Sequence, residues 1–273
     1  MNELFRAVQV EVFKLRRTLA LWSALLVPAI VIAMTMVINL SRSRGTEFVL
    51  DHPNGWDTLM LDQTLVLWCF VLLPLFVALE AALLAGLEHR ENTWKQLFAL
   101  PVRRWTVYVS KLVVGMALVC LSSLVLAAGT AFQGWLLLRF RPDLGVTSPV
   151  PWNLIFFRNF GFIPVVFLLL AILLWVAIRW RSFTVPMGVG IAGTFIGVML
   201  LRTLKNSVST PRGPFLASLF PWSLPYVMIA PLSNSSLPET TAGLRETALL
   251  VGVLGGLFVS VLGCWDTIRR DVD

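Results

Sequence analysis

Residues 88–111 read EHRENTWKQLFALPVRRWTVYVSK. They form the longest charged segment between two apolar runs, 64–87 and 112–138, each long enough to cross a bilayer at about 1.5 Å per residue. That pattern decides the fold class, because it reads as membrane helix, water-exposed connection, membrane helix. Within the connection Leu87, Trp94, Leu97 and Phe98 recur at helical spacing, with Glu91 and Lys95 beside the apolar stripe and Pro101 ending it. Val102, Trp105, Val109 and Leu112 repeat the spacing while Arg103 and Arg104 stay polar, so a second helix should lead from water into the next span. Such a connection suits a contact surface for a soluble partner. An ordinary basic loop with tryptophans at the membrane interface has the same composition.

Composition sets the outer bounds. Of 273 residues 57% are hydrophobic and 14% charged, with a mean hydropathy of +0.80. A soluble globular domain is thereby excluded, and an all-α polytopic membrane protein is expected. The net charge of +7 could point to nucleic acid, yet no basic run exceeds two residues, and orientation in an anionic-lipid membrane explains the charge better. Cys69, Cys120 and Cys264 all fall in apolar runs without metal-type spacing and read as packing residues.

Outward from the central stretch, six spans are expected at about 20–38, 64–87, 112–138, 159–178, 182–201 and 247–265, all within one transmembrane domain covering 1–273. Residues 1–18 precede them as an amphipathic helix lying along the membrane surface, with Leu4, Phe5, Val8, Val12, Leu15 and Leu19 on one face and Arg6, Lys14 and Arg17 opposite. The run 20–38 is too long for a secretory signal and no small-x-small cleavage site follows it. Residues 41–63, rich in Asp and turn formers, read as an external loop, and 139–158 as a Pro-rich one. The connection Arg179-Trp180-Arg181 is so short that the fourth and fifth spans must be antiparallel neighbours. Gly188, Gly190, Gly193 and Gly197 in the fifth span and Gly252, Gly255 and Gly256 in the sixth permit close helix contact, within the chain or with a second copy.

Residues 215–232 are uncharged and long enough for a seventh span, but carry Pro221, Pro225 and Pro231. One helix would have to absorb three missing backbone donors, so an external segment that dips into the membrane and returns is expected instead. Both termini are then cytoplasmic. Five basic residues of the second loop (Arg90, Lys95, Arg103, Arg104, Lys111) against two of the first (Arg42, Arg44) agree with that orientation.

Side-chain chemistry is sparse. There are two histidines, no HExxH, no GxSxG and no carboxylate pair within a span, so no catalytic or metal site is expected. Without GxxxxGK[ST] the chain has no P-loop, and any ATP must be hydrolysed by another subunit. Glu80 is the one charge deep in a span, and intramembrane carboxylates are costly enough to suggest a place on a translocation path. A glutamate near the inner third of a span that reaches toward the interface or stays protonated is the alternative.

The stretches Glu88-His89, Asn92-Thr93-Trp94-Lys95-Gln96-Leu97 and Ala99-Leu100-Pro101-Val102-Arg103-Arg104 resemble the loop after the second span in type-two ABC exporter permeases, closest to the lantibiotic-immunity branch. Glu11-Val12-Phe13-Lys14-Leu15-Arg16-Arg17 resembles that family's elbow helix, and Phe220-Pro221-Trp222-Ser223-Leu224-Pro225 its region before the last span, where outer half-helices plug the exit side. The resemblance implies that 88–111 is a cytoplasmic coupling helix touching an ATP-binding-cassette ATPase through Glu88, Glu91, Trp94, Lys95, Leu97, Phe98, Arg103 and Arg104. It also implies a second permease half, the same chain or a related one, and ATP with Mg on the ATPase alone. An exported amphipathic substrate follows, a peptide antibiotic before a lipid or drug. A proton-coupled secondary transporter using Glu80 and a non-transporting scaffold are the competing classes. The first should show two halves with matching broken helices, and no such internal repeat is present.

Overall fold

The computed structural model describes residues 2–15, 18–41, 55–56, 63–90, 104–144, 146, 150–180, 182–206, 212–229 and 238–269. Among these the regular structure is helical: α1 (Asn2–Leu15), α2 (Leu19–Ser41), α3 (Gln63–Leu67), α4 (Leu73–Arg90), α5 (Arg104–Phe140), α6 (Trp152–Phe160), α7 (Ile163–Arg179), α8 (Thr184–Asn206), α9 (Arg212–Leu219), α10 (Leu224–Ile229) and α11 (Pro238–Arg269). Among the described residues six stretches are long and apolar enough to cross a membrane: Leu19–Ser41, Gln63–Gly86, Trp105–Phe140, Trp152–Arg179, Thr184–Leu201 and Gly243–Arg269.

The core lies between α4, α5 and α7. On α7, Val165, Val166, Leu169, Leu170, Leu173 and Leu174 are fully buried, and on α4 so are Leu73, Val77, Ala78 and Ala81. A span enclosed by its neighbours is apolar all round, whereas α2, α8 and α11 bury less of themselves and show large apolar residues outward, as lipid-facing helices do. α4 packs mainly on α7 and α8 and only lightly on α5, while α5 packs chiefly on α2, α1, α11 and α6.

Several boundaries differ from the sequence reading. α5 has 37 residues, about 55 Å of helix, and takes in Arg104 to Lys111, because nothing between Arg104 and the apolar run breaks a helix. The fourth crossing begins at Trp152 inside the segment expected as loop. Pro151 stands at the N-cap of α6, Gly161 ends it, and Pro164 occupies the first turn of α7, where a missing N–H costs nothing. Between α3 and α4, Trp68–Leu72 form a π-helical turn in which the Leu73 N–H bonds the Trp68 carbonyl. Pro74 follows at once and cannot donate, and the wide turn absorbs that lost bond. In 215–232 the prolines divide the chain: Pro221 lies in the turn after α9 and Pro225 in the first turn of α10, so two short helices form where length alone allowed a span. Ser223 Oγ bonds the Ala217 and Phe220 carbonyls at 2.6 and 2.9 Å and fixes that turn.

The glycine faces meet neighbours within the chain. A Cβ on Gly190 would strike Ala78 of α4, on Gly193 the Trp222 indole, and on Gly252 the backbone Cα of Val165. Backbone cannot swing aside, so Gly252→Ala should lower stability by about 2 kcal/mol, the scale of overpacking. Gly188, with open space around it, is the control: Gly188→Ala should leave the melting temperature in detergent unchanged or raised, and equal effects at both positions would refute the close α7–α11 approach.

Candidate functional site

At the end of the bundle where α4 finishes and α5 begins, three elements meet on one side chain. The Lys111 ammonium, fully buried, lies 3.1 Å from Glu11 Oε2 and donates to the Leu84 carbonyl at 2.8 Å. The other Glu11 oxygen accepts from Lys14 at 3.2 Å. Lys111 of α5 thus holds α1 by charge and α4 by a backbone acceptor. A buried ammonium is tolerated only where a counter-charge and additional acceptors replace its hydration.

The sequence explains how Glu11 reaches this place. At about 100° per residue, Glu11 falls on the same side of α1 as Leu4, Val8 and Leu15. Those residues are turned to the bundle, and Val8 and Leu15 join its core, whereas Phe5 and Val12 are exposed together with Val10 and Phe13. The single apolar face expected from Leu4, Phe5, Val8, Val12, Leu15 and Leu19 is therefore corrected to two. One faces α5 and has the carboxylate at its centre; the other is left outward, with Leu19 exposed at the start of α2. The reason is tertiary: Lys111 offsets a charge that would otherwise keep Glu11 in water.

One turn above Leu84 on α4, Glu80 is also fully buried. Its Oε1 lies 2.5 Å from the Ser23 hydroxyl of α2, and its Oε2 has no hydrogen-bond partner. Ser23 lies also 2.9 Å from the Ala20 carbonyl. Glu80 is closed in at the contact of α2 with α4. Further along the parallel pair α2 and α5, Thr35 Oγ1 bonds Gln133 Oε1 at 3.2 Å and Arg141 Nη1 bonds the Leu40 carbonyl at 3.0 Å. At the end of the bundle that holds Lys111, Arg179 and Trp175 of α7 reach Asp266 of α11 at 3.4 and 3.3 Å.

Of the residues expected to touch an ATPase, Glu91, Trp94, Lys95, Leu97, Phe98 and Arg103 lie outside the described residues. Glu88 is in the last turn of α4 and Arg104 opens α5. Sequence reasoning counted Lys111 among loop charges and corrected placement puts it inside the bundle. The signals that could have found the pair were a lysine two turns into a continuous helix and a glutamate centred on an apolar stripe.

A family model described as ABC-2 family transporter protein matches residues 7–197, from α1 through most of α8, and so covers Glu11, Ser23, Glu80 and Lys111. No curated protein matches the chain significantly. Six helices long and apolar enough to cross a membrane among the described residues, and a family match over most of the chain, lead to one assignment: the chain belongs to the ABC-2 family of transporter proteins, as a multi-pass, non-catalytic membrane permease whose family implies an ABC ATPase partner.

Proposed function

We propose that this permease exports an amphipathic or hydrophobic substrate, a peptide antibiotic foremost, using ATP hydrolysed by a separate subunit docked on residues 88–111. The observation that carries the reading is the family match over residues 7–197, which takes in α4 and α5, the elements that flank this connection. The family supplies the ATPase; the lantibiotic-immunity resemblance of Asn92 to Leu97 and Ala99 to Arg104 supplies the peptide. A second permease half, the same chain or a related one, completes the transporter in the cell membrane. Purification of the permease from its native host, followed by ATP-dependent export of a labelled amphipathic peptide from vesicles, tests it. An ATPase that co-purifies but drives no movement of peptide, lipid or drug would sink the export reading.

In this proposal both termini and the 88–111 connection are cytoplasmic, α1 lies at the membrane interface, and α9 with α10 forms an external re-entrant cap. Cysteines placed at Lys95 and Arg270 should react with impermeant reagent only from the cytoplasmic side, and those at Asp57 and Arg212 only from outside. Reaction of the Arg270 site from outside would require a seventh crossing and refute the arrangement.

Glu80 belongs to the proposed path as a group that becomes accessible when α2 and α4 part. Glu80→Gln keeps the shape and the acceptor facing Ser23 but removes the charge, so export should fall while insertion and ATPase binding persist. Unchanged export would restrict Glu80 to joining α2 to α4.

A further inference from the structure

We propose that Lys111 is a positioning residue that makes the two stems of the 91–103 segment and the helix α1 move as one body. This rests on the reading of that segment as the ATPase contact. The segment leaves α4 after Arg90 and enters α5 at Arg104. Lys111 stands about two turns inside α5 and Leu84 a similar distance inside α4, so the ammonium-to-carbonyl bond crosses between the stems about 10 Å from the segment's ends. The two stems pack on each other only lightly: α4 leans mainly on α7 and α8, α5 mainly on α2, α1 and α11, and α2 and α7 touch both. A push on the segment could therefore splay the stems unless something ties them. Lys111 supplies the tie, and Glu11 extends it to α1.

Charge as well as shape is needed. A methionine at 111 fills similar volume but donates nothing to Leu84 and offers no counter-charge to Glu11. The pair is buried, so solvent salt does not screen it as it screens exposed contacts. The surrounding charged group on α1, Lys14, bonds the other carboxylate oxygen and helps to hold Glu11 in place.

The test uses the permease with its co-purified ATPase in nanodiscs, with Cys69, Cys120 and Cys264 replaced. Spin labels go on Val10→Cys, exposed on α1, and Gly86→Cys on α4, where an added Cβ meets nothing within 4 Å. In the otherwise unmodified protein, the distance between labels should stay narrow and unchanged when ATP and vanadate trap the complex. In Lys111→Met it should broaden and shift on trapping, with the ATPase still co-purifying. Because the single variant alters a buried pair, Lys111→Met with Glu11→Met provides a second one in which neither charge is left behind; it should fold and insert and still show the shift. A distance that changes on trapping in the unmodified protein, or stays fixed in the folded double variant, would overturn the positioning role. Failure of the ATPase to depend on Trp94 would instead overturn the docking assignment, which the label distances do not measure.

Discussion

Glu11→Ala should destabilise the permease by about 3 kcal/mol, the cost of breaking a buried ion pair from one side. The loss is large against the 5–15 kcal/mol that typically separates folded from unfolded chains (roughly, by analogy with soluble domains). The physical reason is an asymmetry. Deleting the carboxylate removes a counter-charge 3.1 Å from an ammonium that has no exposure to water. Deleting the ammonium leaves a carboxylate that still accepts from Lys14, whose side chain is partly in solvent. Lys111→Met should therefore cost less than Glu11→Ala, and replacing both by methionine should recover much of the loss, because matched apolar side chains need no desolvation. Melting of the three variants in detergent, followed by fluorescence-detected gel filtration, gives the order directly. A Glu11→Ala protein that melts with the unmodified one would mean that Lys111 does not depend on this carboxylate.

What the sequence disclosed and what it withheld divide along physical lines. The spans were legible because each needs only length and hydropathy: 20–38 and 247–265 fall inside α2 and α11. The prolines of 215–232 likewise foretold a broken segment, since a missing N–H is a local property. The start of the fourth crossing was not legible, because Arg158 in α6 reads as a loop residue until its partly buried setting is known. The π-turn at Trp68–Leu72 is a response to Pro74 that no periodicity encodes. Lys111 was the largest omission. Its partner Glu11 is 100 residues away in sequence, and neither residue is conspicuous without the other. The sequence places Glu80 deep in a span; that Ser23 faces it from α2 is a matter of packing.

Trp94→Ala should weaken the complex with the ATPase by about 2 kcal/mol or more, which is roughly thirtyfold in affinity. In the helix expected from the spacing of Leu87, Trp94, Leu97 and Phe98, Trp94 would be the largest apolar side chain, and buried aromatic anchors carry most of the energy where a helix enters a groove. Glu91 and Lys95, expected beside that apolar stripe, and Arg103 and Arg104, expected in the helix after Pro101, would lie at the rim, where water and ions screen them. Neutralising Arg103 or Arg104 alone should have a smaller effect that fades with added salt. The same tryptophan could instead settle among lipid headgroups, as aromatic rings at membrane surfaces do. Substitution would then change insertion or helix tilt and leave the ATPase bound. Co-purification of the ATPase and its hydrolysis rate in the assembled transporter separate the two, because the lipid reading leaves both unchanged. The docking reading requires both to fall for Trp94→Ala, while the Val10 to Gly86 label distance, set by Lys111 below the segment, stays narrow.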